Sequence, residues 1–407
     1  MNQNNQTFKH TAIGFIPPDW EVKKLREVTL GKGQYGINAS AVPFNENLPK
    51  YLRITDIDDD GYFSKDKLSS VDQTNSDEFF LKDDDIVFVR TGATTGKSYL
   101  YKKQDGQLVY AGFLIKFSVD TSVADKYFLW SFTKSSTYND WVSMYSQRSG
   151  QPGLNSNEYG NLIIPFPPLP EQQKIGEILR TWDRAISIKK EIINQLEIRN
   201  KNLAFRLLRG NLNKFISYRT PLSTFLTFMP REVTKPISNY LALGIRSHGK
   251  GVFHKPDSDP MAISMDKLYK VRENDFIVNI TFAWEHAVAI IGKEDEDGLV
   301  SHRFPTYVID KNIVSIEFFR HIILQPFFRQ MLDDISPGGA GRNRVLSKKD
   351  LLKLEIQLPS LEEQHSIAQI LNKANRELKH YKEKLSYLQQ QKKGLMQQLL
   401  TGKIRTV

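Results

Sequence analysis

The 407-residue chain has no cysteine, so disulfides and thiolate metal sites are both excluded. Long apolar runs are missing too. Stretches such as AVAII (287–291) are far too short to span a bilayer. The segment MNQNNQTFKH lacks the apolar core of a signal peptide, and a cytoplasmic protein is expected. None of the eight histidines stands at H-x-x-x-H spacing, which leaves a zinc site unsupported. No N-P-P-[FY] or D-P-P-[FY] stretch of the amino-methyltransferase kind is present, and FPPLP (166–170) is a proline-rich helix entry. The acidic runs DIDDD (56–60), DDD (83–85) and EDED (294–297) read as solvated turns, not metal sites. The chain is therefore read as lacking catalytic activity of its own.

What is present is an ordinary globular composition, 40% apolar and 25% charged, long enough for two or three domains. The net charge of +10 suggests an anionic partner, most often nucleic acid. That charge is unevenly placed. Segments 169–213 and 359–407 hold 9 basic against 5 acidic and 9 against 4 residues, whereas 18–168 and 214–358 are nearly neutral.

These two basic segments repeat each other. PPLPEQQKIGEIL (167–179) matches PSLEEQHSIAQIL (359–371) at an offset of 192, and the same offset carries LLRG (207–210) onto LLTG (399–402). Each begins at a proline-rich loop and ends at glycine, which are helix start and stop signals. Alternating steps of four and three pick out Ile175, Leu179, Trp182, Ile186, Lys189, Ile193, Leu196, Asn200, Leu203 and Leu207. In the second copy they pick out Ile367, Leu371, Ala374, Leu378, Tyr381, Leu385, Leu388, Lys392, Leu395 and Leu399. Sustained over about five heptads, this is a coiled-coil seam. Each helix would run roughly 58 Å at 1.5 Å per residue. The simplest partner of each is the other, with polar Lys189, Asn200 and Lys392 helping to fix register.

The larger segments align weakly as well. DDIVFVRTGATTGKSYLY (84–101) can be set beside NDFIVNITFAWEHAVAII (274–291). The expected fold is α+β: two similar globular α/β domains joined by two long helices that pair as an antiparallel coiled coil, with a pseudo-twofold internal repeat. The expected boundaries are an N-terminal tail 1–17, a first domain 18–168, a central helix 169–213, a second domain 214–358 and a C-terminal helix 359–407.

Thr91–Ser98, TGATTGKS, nearly spells a P-loop. A P-loop opens a helix, yet YLYKKQDGQLVYAGF follows, which reads as strand, turn, strand. Two readings remain: a surface turn, or a loop presenting polar side chains to DNA. The wider architecture favours the second.

IPPDWEVKKLREV (16–28), VRTGATTGKSYLY (89–101), NLIIPFPPLPEQQKIGEIL (161–179), LPSLEEQHSIAQIL (358–371) and QQLLTGKIR (397–405) resemble the specificity subunit of a type I restriction-modification system. SLEEQ (360–364) in place of PLPEQ (168–172) is a mild departure. The resemblance implies a non-catalytic subunit with two target-recognition domains reading a split double-stranded DNA target. It also implies two methyltransferase subunits docked on the helices, with or without restriction subunits. S-adenosylmethionine, and ATP with Mg, are expected on those partners and not on this chain.

Candidate DNA contacts are polar and basic residues in expected loops. In the first domain they are Lys32, Gln34 and Tyr35; Arg90, Thr91, Thr94, Thr95, Lys97 and Ser98; and Arg148, Ser149, Gln151 and Asn155. In the second they are Arg246, Ser247, His248 and Lys250; Asn279, Trp284, Glu285 and His286; His302 and Arg303; and Arg342, Asn343 and Arg344. Arginine is the usual reader of guanine, and Asn or Gln of adenine. Trp284 and His286 suit a core equally well. The helix cations Arg180, Arg184, Lys189, Lys190, Arg199, Arg206 and Arg209 suit either spacer phosphates or acidic partner surfaces. The rival reading is a coiled-coil scaffold with protein-binding globular ends.

Overall fold

The computed structural model describes residues 8–209, 217–338 and 344–406. It divides into two compact units, Met1–Lys190 with Glu383–Val407, and Glu191–Lys382. Each unit thus holds one stretch of globular chain and half of each long helix.

The two helices, α1 (Leu169–Leu208) and α2 (Leu361–Leu400), are 40 residues each. Pro170 lies in the first turn of α1, where its missing N–H forfeits no helical bond. Within the first unit Asp183 of α1 takes the Lys392 ammonium at 2.6 Å, and Glu171 takes Arg405 at 2.8 Å. Within the second, Glu197 meets Lys382 at 2.6 Å and Asn200 Nδ2 donates to the Ala374 carbonyl at 2.9 Å. In both units numbers rise on α1 as they fall on α2, so the helices pair antiparallel. All seventeen apolar seam residues named for the two helices are buried or half-buried. The polar seam positions are used as well: Lys392 is held by Asp183, and Asn200 caps a carbonyl across the seam.

The first unit is built on a four-stranded antiparallel sheet of β1 (Thr29–Tyr35), β2 (Asp85–Val89), β3 (Ser98–Leu100) and β4 (Leu114–Val119), in the order β1-β4-β2-β3. The second has β5 (Leu226–Phe228), β6 (Phe276–Val278), β7 (Val288–Ile290) and β8 (Thr306–Ile309), in the order β5-β8-β6-β7. The strand order is the same, so the weak sequence alignment reflects a true structural repeat. Side chains alternate across these sheets. Ile86 and Phe88 face a core shared with Phe128, Ile175, Leu179 and Leu399, whereas Val87 and Val89 face a second sheet carrying Leu52 and Tyr110. In the second unit Phe276 and Val278 face the helices, and Ile277 faces away. With both faces covered, these strands read as continuous apolar runs.

Each globular stretch is zipped closed just before its long helix. Glu21–Lys24 pairs with Ile163–Phe166, and Tyr218–Pro221 pairs with Glu355–Leu358, both antiparallel. The repeated glutamine of the two helix entries then fastens that closure. Buried Gln172 accepts from the Asp125 amide at 3.0 Å and donates to the Pro167 carbonyl at 2.9 Å. Buried Gln364 accepts from the Ser315 amide at 2.8 Å and donates to the carbonyls of Ile313 at 3.1 Å and Pro359 at 3.0 Å. Both tie the entry of a short helix, Lys126–Phe132 or Ile316–Ile322, to the proline loop.

The acidic runs depart from expectation. Asp56, Asp85 and Asp295 are buried. Asp56 accepts from the Arg53 guanidinium, Asp85 from the Lys82 amide, and Asp295 from the Gly292 amide. One member of each run thus serves the local turn while its neighbours stay near solvent. GKGQYG (31–36) spells G-x-G-x-x-G, but Gly31–Tyr35 is strand and no helix follows. Nor is any helix among the described residues long and apolar enough to cross a membrane.

Gln172→Ala and Gln364→Ala should each destabilise the protein by about 2–3 kcal/mol, since each strands buried amide and carbonyl groups. Urea unfolding checks this against Gln173→Ala, at an exposed neighbour. Equal midpoints for Gln172→Ala and Gln173→Ala would mean the glutamine is not a fastening.

Candidate nucleic-acid interface

TGATTGKS is the tip of the β2–β3 hairpin. The Val89 amide donates to the Lys97 carbonyl at 2.8 Å, and that of Gly96 to the Val89 carbonyl at 3.0 Å. Gly92 and Gly96 have φ of 92° and 95°, a region disfavoured for side chains, and a Cβ on Gly96 would meet Val142 at 2.7 Å. The glycines therefore serve a tight, packed turn, and no helix dipole is available to cradle a phosphate.

This tip is stitched to the Arg148–Asn155 segment. The Gly92 amide donates to the Pro152 carbonyl at 3.0 Å, the Leu154 amide to the Arg90 carbonyl at 2.8 Å, and Thr91 bridges Gly153. The Arg90 guanidinium lies 4.8 Å from the centre of the Tyr35 ring, and the Tyr35 hydroxyl accepts from the Ser156 amide at 3.1 Å. The three sequence groups of the first domain thus meet at one edge. Lys32, Gln34, Tyr35, Ser149 and Gln151 are exposed there, with Arg90 and Thr91 half-buried. Arg90 is braced on a ring and keeps most of its donors unspent, the arrangement expected of a base reader.

Other candidates are already occupied. Buried Ser98 shares a hydrogen bond with Thr133 at 2.6 Å and leaves the list of DNA contacts. The Asn155 side chain caps the helix Ser156–Gly160, Arg148 is paired with Glu158 at 2.5 Å, and Thr95 bonds the Gly92 carbonyl at 2.8 Å. Half-buried Thr94 and Lys97 line a different feature, a cleft of about 580 Å³ against the helices, where Lys97 meets Asp59 at 2.6 Å.

In the second unit the hairpin tip 246–251 leans on the 283–287 turn. The His248 amide donates to the Glu285 carbonyl at 2.7 Å, and the Ser247 hydroxyl to the Glu285 carboxylate at 2.6 Å. Arg246 lies 5.3 Å from the Phe253 ring centre, and Arg344 5.2 Å from that of Trp284. Arg303 reaches the same turn through Thr281 Oγ1 at 3.3 Å. Arg246, His248, Lys250, His302 and Arg303 are exposed. Two assignments need correcting. Asn279 is buried and accepts from the Thr281 amide at 3.1 Å, holding its own turn. His286 is buried in the left-handed region at φ 68°, its Nε2 2.6 Å from the Ile323 carbonyl. Arg344 is paired with Asp333 at 2.6 Å, and Arg342 and Asn343 lie outside the described residues.

The helix cations divide similarly. Lys190 meets Asp60 at 2.5 Å, Arg199 meets Glu377 at 2.7 Å, and Arg180 lies 4.9 Å from the Tyr127 ring centre. Arg184 and Arg206 are exposed and Lys189 is half-buried. Sequence reasoning missed Phe113, exposed beside Arg90 through its carbonyl, because an apolar residue in YAGFL reads as strand. It also missed Lys134, packed 3.4 Å from the Trp130 ring centre. Burial, with Lys392 nearby, pushes that ammonium down to about 7. Among the described residues no group of three or more His, Asp or Glu is placed to hold a metal ion.

Two sheets of one strand order, with ring-braced Arg90 in the first unit and Arg246 and Arg344 in the second beside exposed polar loops, have the make-up of a DNA-recognition protein. The family model described as "Type I restriction modification DNA specificity domain" matches residues 17–198 and 261–387, and the chain belongs to that family. It is 25% identical, across 98% of its own length and 97% of the relative's, to the putative type I restriction enzyme MjaX specificity subunit of Methanocaldococcus jannaschii. The MjaVIII specificity subunit of the same organism is 22% identical over 98% and 96%. The type I restriction-modification system S subunit from M. genitalium shares the fold, with TM-score 0.57 and 14% identity over 98% of both chains. The resemblance read from the motifs holds, and the scaffold reading is set aside.

Burial holds His286 and His321 below the usual histidine range. Folding therefore favours the neutral form of both, whereas the unfolded chain takes up protons as pH falls through about 6.5. Stability should therefore be complete above that pH and decline below it. Melting curves between pH 7.5 and 5 check this, and His286→Gln with His321→Gln should flatten the decline. An unchanged slope in the double variant would exclude these two groups as its source.

Proposed function

We propose that each globular domain reads one half of a bipartite double-stranded DNA target, while α1 and α2 set the gap and dock two methyltransferase subunits. Restriction subunits would join in a complete system. In this reading the chain performs no chemistry itself and works in the cytoplasm. S-adenosylmethionine is bound by the methyltransferase subunits, which methylate adenine, and ATP with Mg by the restriction subunits.

The observation that carries the bipartite reading is the recurrence of one strand order with unlike loops. The loop after β2 presents Arg90 and Thr91, and that after β6 presents Trp284 and Glu285 beside Arg246. A shared frame with different side chains suits two different half-sites. The antiparallel pairing within each unit supports the helices as a ruler, since seam contacts at fixed spacing resist sliding.

Co-expression with the methyltransferase subunit in a methylation-free host, followed by genome-wide mapping of modified adenines, tests this reading. A two-part motif with one fixed gap is expected. Exchanging residues 18–168 for those of a relative should change one half of that motif only. Deleting about one heptad from both helices preserves the seam and should shorten the gap. No motif from an active methyltransferase would overturn the reading, and an unaltered gap would remove the helices as ruler. Within the first half-site Arg90→Ala should relax one position, at a cost of about 1–3 kcal/mol in discrimination. Uniform weakening across all sequences would make Arg90 a phosphate contact instead.

A further inference from the structure

A pocket of about 230 Å³ opens in the second unit where β5 ends and β8 begins, and of its lining residues only His302 is among the candidate contacts given above. Phe228, Tyr269 and Phe304 wall it, and exposed Glu232, His302 and Lys348 stand around them. Two bonds hold its base. The Met229 amide donates to the Thr306 carbonyl at 3.0 Å, and the Thr306 hydroxyl to the Met229 carbonyl at 2.9 Å. Tyr307 backs the Phe228 ring at 5.6 Å between centres, yet Phe228 stays 41% exposed. A large aromatic side chain left open beside two others forgoes burial, and such a patch marks a binding site more often than a packing fault.

The first unit lacks the Phe228 wall. Thr29 pairs with Val119 as Leu226 pairs with Ile309, so Gly31 occupies the place of Phe228. The pocket therefore belongs to what the second unit does differently.

Three features narrow the occupant. Aromatic walls favour a flat ring that can stack, and the space suits one heterocycle. The surrounding charge is cationic: Lys348 lies 5.2 Å from the Phe228 ring centre, and the Glu232 charge is already met by Lys267 at 2.6 Å. An ammonium ligand would be repelled, whereas a ring joined to a phosphate would not. Finally, Arg303 precedes Phe304 and links this loop to the 279–286 turn, the Ile280 amide donating to its carbonyl at 3.0 Å.

We propose that the pocket takes a single unstacked nucleobase, stacked on Phe304 and Phe228, with Lys348 meeting the adjoining phosphate. Glu232 retains lone pairs for an exocyclic amino group. The inference rests on the DNA-recognition reading and deepens it. The base can come from the bound duplex or from a free nucleotide, and the test separates these sources.

The full chain is bound to the duplex defined by methylation mapping. Each base of the half-site read by the second domain is left unpaired in turn by an abasic site opposite it. Removing the partner lowers the cost of extrusion. At one position binding should tighten about tenfold, the size of one base–aromatic stack. Phe304→Ala should lose that gain, Phe304→Trp should restore it, and Lys348→Ala, at an exposed residue, should reduce it without a folding risk. In parallel the four deoxynucleoside monophosphates are titrated into the chain without DNA. Binding of one of them that Phe304→Ala abolishes, with no gain on any abasic duplex, would assign the pocket to free nucleotides. No gain and no nucleotide binding would overturn the proposal, as would a gain that survives both Phe304→Ala and Lys348→Ala. Such failures leave salt-sensitive binding of the fully paired target intact, whereas its loss in the unaltered chain would sink the DNA-recognition reading itself.

Discussion

A glutamine can be buried without penalty only if its amide oxygen and nitrogen both find partners, and Gln172 and Gln364 meet that condition in the same way. Each accepts one backbone amide at the start of a short helix and donates to carbonyls of the loops on either side. The backbone groups concerned sit where three segments converge: the closing strand, the proline loop and the short helix. Without the side chain they would face an apolar core unpaired. The preceding glutamates diverge. Buried Glu171 accepts from the Trp20 indole at 3.0 Å and from Arg405, whereas Glu363 caps its own helix through Ser360 at 2.9 Å. The glutamine is thus the constant part of the joint, and the direction in which each long helix leaves its domain depends on it.

From that joint the helices carry a seam that is mostly aliphatic and deliberately interrupted. An unbroken run of leucine and isoleucine would tolerate slippage by a heptad. Asn200, bonded to the Ala374 carbonyl, and Lys392, bonded to Asp183, each have one correct position along the partner helix. The Tyr127 hydroxyl also reaches Asp183 at 2.6 Å, which ties the short helix of the first domain to the same register. Any other alignment would leave these groups buried and unpaired, a penalty larger than the small gain from replacing them with leucine.

Periodicity and repetition made the helices legible because a coiled-coil seam is written locally, residue by residue. Strand, turn, strand after the TGATTGKS loop was legible for the same reason. The site was less so. Ser98, Asn279 and His286 have the side chains of DNA readers, yet they point inward because of partners 30 or more residues away or a turn they close themselves. The acidic runs misled in the opposite sense, since one member of each is buried under a local turn. What propensity cannot report is which side of a loop faces the core, and that decides every contact.

The same division shows how one frame can carry two different sets of loops. The central strands β2 and β6 are covered on both faces, so their residues are fixed by packing and have little freedom to change. The loops that follow β2 and β6 are anchored through backbone bonds: the Arg90 carbonyl to the Leu154 amide, and the Glu285 carbonyl to the His248 amide. Backbone anchors do not depend on side-chain identity. Arg90 on Tyr35, after β2 in one unit, and Arg246 on Phe253, at the tip of a separate hairpin in the other, are separate solutions. In each case an aromatic ring limits the rotamers of a long cation before any ligand arrives, which lowers the entropy lost on binding. Specificity can then diverge between the two domains by substitution at the loops alone, while the buried glutamine of each domain and the seam contacts within each unit stay unchanged.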